Sequence, residues 1–72
     1  MQLGEIIKKT RQKAFLSQEE FADSLHVSVS TINRWENDKV RPNLSAMKSI
    51  KEFCQKYDLP YGEIEAEWFD KN

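Results

Sequence analysis

Between Leu16 and Glu36 the chain reads LSQEEFADSLHVSVSTINRWE, a stretch with two helix-start signals eleven residues apart. Ser17 has the short, oxygen-bearing side chain that caps a helix. Glu20, three residues on, can reach back to the Ser17 N–H as a capping box. Leu16 and Phe21 have the spacing of a hydrophobic staple over that end. Ser28 opens a second helix, with Val27 and Ile32 placed for the same kind of staple. Only two turns fit between these caps. The spacing therefore predicts a helix over 18–25, a tight corner at His26–Val27, and a second helix from Val29 to about Asn37. A short helix, a tight turn and a second capped helix make a helix-turn-helix unit over about 17–37.

The remaining elements follow from apolar periodicity. Residues 2–14 read as a first helix, with Leu3, Ile6, Ile7 and Thr10 recurring at helical spacing and Arg11 and Ala14 continuing that face. Phe21, Ala22 and Leu25 form the inner face of the second helix, and Ile32 and Trp35 that of the third. Asn37–Asp38 ends the third helix, because either residue tolerates a left-handed turn. Pro42–Asn43 breaks the chain and caps a fourth helix over about Leu44–Tyr57, whose expected core stripe is Leu44, Met47, Ile50, Cys54 and Tyr57. Phe53 falls beside that stripe and is expected to be partly exposed. After the break at Leu59–Pro60, residues 61–69 make a last short helix with Ile64 and Trp68 on one side. The expectation is an all-α, compact five-helix bundle built as a single domain over 1–72.

Composition narrows the classes. Seventy-two residues leave room for one core, and a chain this short folds alone with a small margin. A single cysteine excludes an internal disulfide. No apolar run approaches membrane-spanning length and no signal-peptide core stands at the N-terminus, so the expected location is cytoplasmic. One histidine, one core-stripe cysteine and no glycine-rich loop supply neither a nucleophile–base pair nor a metal set. Glu19 and Glu20, adjacent on a helix, point to different sides. Neither an enzyme nor a cofactor is expected. His26 reads as a turn residue, since histidine accepts positive φ better than most.

The chemistry-bearing residues gather on and around the third helix. With Ile32 and Trp35 turned inward, Val29, Ser30, Asn33, Arg34 and Asn37 face outward. Such groups suit the major groove of double-stranded DNA: Arg pairs with guanine, Asn with adenine, and an apolar side chain meets the thymine methyl. An ordinary polar helix face has the same spacing. Gln18 sits at a helix N-terminus, where free N–H groups favour a phosphate. Solvent exposure explains it equally. Lys39 and Arg41 put two positive charges in a short loop, which suits phosphate clamping or simple solvation. Lys8, Lys9 and Lys13 read first as a solvated face. The charge balance qualifies all of this. The total is −1. Residues 1–43 hold seven Lys/Arg against six Asp/Glu, and residues 44–72 hold four against six, with Glu63, Glu65, Glu67 and Asp70 crowding the last helix. Affinity for nucleic acid should then be modest and strongly salt-dependent.

The run LSQEEFA, the Val27–Ser28 step, STINRWEN, the Arg-Pro at 41 and 42, and the Leu44/Met47/Ile50 spacing together resemble the phage repressor and Cro family, also called the XRE family, over about residues 3–65. The resemblance implies the lambda-repressor-like fold, with the third helix as recognition helix. It implies that Gln18 bonds the DNA backbone and buttresses that helix, and that Ser28, Val29, Ser30, Asn33 and Arg34 read bases and backbone. It further implies phosphate contacts from the loop Asn37 to Arg41, including Lys39, and from Asn43. Arg11 and Glu36 match a buried ion pair. The chain departs from the family in places. His26 and Asp38 stand where the family usually has glycine, which implies strained corners. Val29 and Ser30 replace longer amides, which favours shape readout or loose specificity.

The function expected is sequence-specific DNA binding by a repressor-like transcriptional regulator, as a homodimer through the C-terminal helices on a palindromic site. Two alternatives stand beside it. One is an antitoxin or DNA-targeting module of a larger assembly with a protein partner. The other is a protein-interaction module without DNA binding, to which the negative net charge points.

Overall fold

The computed structural model describes residues 2–70, and among them five helices succeed one another: α1 (Leu3–Lys13), α2 (Gln18–Leu25), α3 (Val29–Glu36), α4 (Leu44–Lys56) and α5 (Gly62–Asp70). The apolar stripes converge on one core, centred on Ile7, Phe21, Ile32, Ile50, Cys54 and Ile64. Thr10 is a buried polar residue on that core face, and its hydroxyl donates to the Ile6 carbonyl one turn back (2.9 Å). A buried hydroxyl is tolerated when it finds such a partner.

All four interhelical corners close in the same way. Phe15, His26, Asp38 and Asp58 each have φ near 60°. At each corner two backbone N–H groups fold back onto carbonyls of the helix just ended. Leu16 donates to Arg11, Val27 to Ala22, Lys39 to Arg34 and Leu59 to Cys54. This is the Schellman closure, which normally takes glycine at its left-handed position. The two glycines of this chain are elsewhere. Each non-glycine residue there costs about 1–2 kcal/mol, and Phe15 is also 94% exposed.

Gly4 lies where α1 passes closest to the end of α3. A Cβ there would stand 2.5 Å from the Trp35 carbonyl oxygen and 2.6 Å from that of Glu36, so only glycine admits this approach. The same crossing explains Asp38. Gln2, the N-cap of α1, makes no side-chain cap bond, and Asp38 Oδ1 accepts from the Gly4 N–H instead (2.9 Å). One helix is capped by the corner that ends another, 34 residues away.

α4 corrects the expected stripe. Leu44 is 63% exposed and Tyr57 39% exposed, whereas Phe53 is buried. Side chains lean toward the N-terminus of their helix. Leu44, first in α4, therefore overhangs the end of the core. Phe53 is drawn in by α2: its ring meets Phe21 edge-on, centroids 4.9 Å apart. Tyr57 caps α4 from outside and stacks, tilted, on the outer side of Phe53. α5 lies against α1, with Ile64 buried and the Tyr61 hydroxyl donating to the Met47 carbonyl (3.3 Å).

Candidate nucleic-acid interface

The helix-turn-helix forms because each of its helices carries its own start signal. Ser17 Oγ accepts from Glu20 N, and Glu20 Oε1 accepts from Ser17 N, so the capping box closes. Ser28 Oγ accepts from Thr31 N and shares a hydrogen bond with the Thr31 hydroxyl. The His26 corner between them turns the chain so that α2 and α3 pack closely.

The orientation of α3 is set from beneath. Ile32 is fully buried and Trp35 nearly so. Val29, Ser30, Asn33 and Arg34 are exposed, and with Gln18 they line one concavity of about 340 Å³. The structure thus gathers five of the ten expected DNA-contacting residues on a single surface.

Gln18 joins this surface to a buried polar hub. Arg11 Nε donates to Glu36 Oε2 (2.7 Å) and Nη2 to Glu36 Oε1 (3.1 Å), a two-pronged pair, while Nη1 donates to the Leu16 carbonyl (2.9 Å). The Gln18 amide adds a third donor to the same carboxylate, 2.9 Å from Oε1. The Glu36 side chain is 3% exposed and that of Arg11 11%. Three donors from two helices thus surround this buried carboxylate, and such charge-assisted bonds offset the cost of burying it. The hub joins the last residue of α1's inner face, the first residue of α2 and the last residue of α3, and so fixes α3 against α1 and α2.

Of the other five expected residues, four have side chains with structural duties. Ser28 and Asn43 spend side-chain oxygens on caps, Asn43 Oδ1 accepting from Ala46 N (2.8 Å). The Asn37 amide donates to the Asn33 carbonyl (2.8 Å), tightening the end of α3. Lys39 is exposed in the loop behind α3, and its backbone N–H donates to the Arg34 carbonyl. Arg41 turns toward α5: Nη2 donates to the Trp68 carbonyl, and the guanidinium lies 5.4 Å from the centre of the Trp68 ring. Arg41 and Asn43 also line a groove of about 520 Å³ with Thr31 and Ser45, beside the start of α3.

Gly4 and Asp38 join the end of α3 to α1, and Trp68 holds the loop at Arg41 and Pro42, contacts that sequence reasoning did not single out. Asp38 carried a local signal, its glycine-like corner. The missing cap at Gln2 was the second half of that signal, and only the α1–α3 crossing joins the two.

Among the described residues no group of three His, Cys, Asp or Glu could hold a metal ion. Burial raises the pKa of the Cys54 thiol. The Tyr61 hydroxyl is raised by burial and, to a lesser extent, by Glu65 and Cys54. Cys54 lies on α4 and Tyr61 just before α5, and neither lines the α3 surface. Among the described residues no helix is long and apolar enough to cross a membrane.

The chain is 36% identical over 53 residues to the HTH-type transcriptional activator BcrR of Enterococcus faecalis, a match covering 74% of this chain and 26% of that protein. The chain thus spans about a quarter of the length of this relative. Its sequence also matches the family described as helix-turn-helix over residues 7–61, the span that holds the hub, both caps and the whole of α3. With five helices around one core and the helix-turn-helix at its centre, the chain belongs to the helix-turn-helix family of XRE type, a family of DNA-binding regulators.

Proposed function

We propose that this domain binds double-stranded DNA in a sequence-dependent way by laying α3 in the major groove, and that it serves a regulator of transcription. The observation that carries this reading is the split of α3: Ile32 and Trp35 are sunk in the core, while Asn33 and Arg34 stand exposed beside Gln18. Asn33 and Arg34 are the base readers, Val29 and Ser30 fit against the groove wall, and Gln18 meets a phosphate at the start of α2. Ser28, Asn37, Lys39 and Asn43 contact the backbone. The acidic residues of α5 stay away from the duplex, so binding rests on few phosphate contacts. In vitro selection followed by gel shift tests the reading. Asn33→Ala and Arg34→Ala should each cost about 1–3 kcal/mol for the selected site while leaving the fold intact by circular dichroism. Full affinity in both folded variants would overturn it.

The relative is named as an activator, which supports regulation of transcription for this chain too, without assigning the sign of that regulation. Assembly as a homodimer through the C-terminal helices is the arrangement that suits a two-fold site. Phe69, 58% exposed beside Trp68, supports it. Sedimentation of the wild type should give a dimer and Phe69→Ala should weaken it; a monomer at all concentrations rejects it.

A further inference from the structure

The loop from Asn37 to Asn43 joins the recognition helix to α4. Its ends are held locally, at one end by the Lys39 N–H on Arg34 and at the other by the Asn43 cap. Its middle is held from a distance by α5. The Trp68 indole Nε1–H donates to the Pro42 carbonyl (2.7 Å), and the Arg41 guanidinium donates back to the Trp68 carbonyl. The two bonds run in opposite directions between the same short segments, 26 and 27 residues apart. Trp68 lies in the last turn of α5, whose carbonyls lack intrahelical partners and whose dipole favours a cation. Arg41 supplies both a donor and the charge, and its position near the indole ring adds a cation–π contact. Pro42 is buried.

We infer that Trp68 is a positioning residue for DNA binding: through the Arg41–Trp68–Pro42 clasp, α5 sets where the loop presents Lys39 and Asn43 to the phosphate backbone. Arg41 is then the tether of α5 and not itself a phosphate contact. The inference rests on the DNA-binding reading above.

Trp68→Phe tests it, because phenylalanine keeps an aromatic ring in place and removes the N–H. The variant should stay folded by circular dichroism and thermal melting, and should bind the selected site about fivefold more weakly, the factor carried by one hydrogen bond of about 1 kcal/mol. That loss should vanish in a Lys39→Ala/Asn43→Ala background and persist in an Arg34→Ala background. A purely structural role would weaken both backgrounds alike, and that result overturns the inference, as does wild-type affinity in folded Trp68→Phe. Should Trp68→Phe melt below the assay temperature, Arg41→Lys answers in its place. It keeps the charge available to a phosphate and loses the planar guanidinium. Weaker binding supports the tether, and unchanged binding overturns it. If Asn33→Ala and Arg34→Ala themselves bind as wild type, the DNA reading fails. If they lose binding and Trp68→Phe does not, only the clasp fails.

Discussion

The α2–α3 unit and the α4–α5 end are held together by different means. In α2–α3 the caps and corners are made by residues within a few positions of one another, and two long-range contacts, the Arg11–Glu36–Gln18 hub and the Asp38 cap on Gly4, lock the unit to α1. In α4–α5 the defining contacts are between residues far apart: Phe53 on Phe21, Tyr61 on Met47, Trp68 on Pro42. The first region is rigid in design because its local choices agree with one another. The second depends on which neighbour each aromatic finds.

The largest expected effect tests the hub that makes the first region rigid. Glu36→Ala or Arg11→Ala should cost about 3–5 kcal/mol in urea unfolding, because the remaining charge is left buried among groups it no longer pairs with. A cost below about 1 kcal/mol would mean that water replaces the missing partner. In the second region the contrast lies between two neighbours on α4. Phe53→Ala should cost about 3 kcal/mol, whereas Leu44→Ala should stay within about 0.5 kcal/mol. Equal costs would return Leu44 to the core.

The smallest effects separate the four left-handed corners by thermal melting. Phe15→Gly and His26→Gly should each raise stability by about 0.5–1 kcal/mol, as backbone strain is released against the greater freedom of the unfolded chain. Asp38→Gly should not, because it also removes the oxygen that caps α1 at Gly4. A gain at Asp38 equal to that at His26 would show that the cap contributes nothing.

Much of the fold could be read in the residue order. Ser17, Ser28 and Asn43 marked helix starts because a capping oxygen acts on N–H groups two or three residues away. Helical spacing placed Ile6, Ile7, Ile32 and Trp35 inside. Because Ile32 and Trp35 are inside, Asn33 and Arg34 are outside, so the candidate reading surface was legible too. The pairing of Arg11 with Glu36 came from resemblance, since no local rule joins residues 25 apart.

What only the tertiary structure decided involves residues with more than one possible partner. In α4 the expected stripe holds at Met47, Ile50 and Cys54 and fails at Leu44, Tyr57 and Phe53, because periodicity weighs those three alike while the position of α2 selects Phe53. Asp38 is a helix corner by its own φ and the cap of α1 by virtue of the Gly4 crossing. Arg41 is a loop cation in the sequence and a tether of α5 in the fold. Caps and periodic stripes act over a few residues and are therefore written in the order of the chain. The partner of a loop arginine or of a terminal tryptophan is settled only when helices distant in sequence pack side by side.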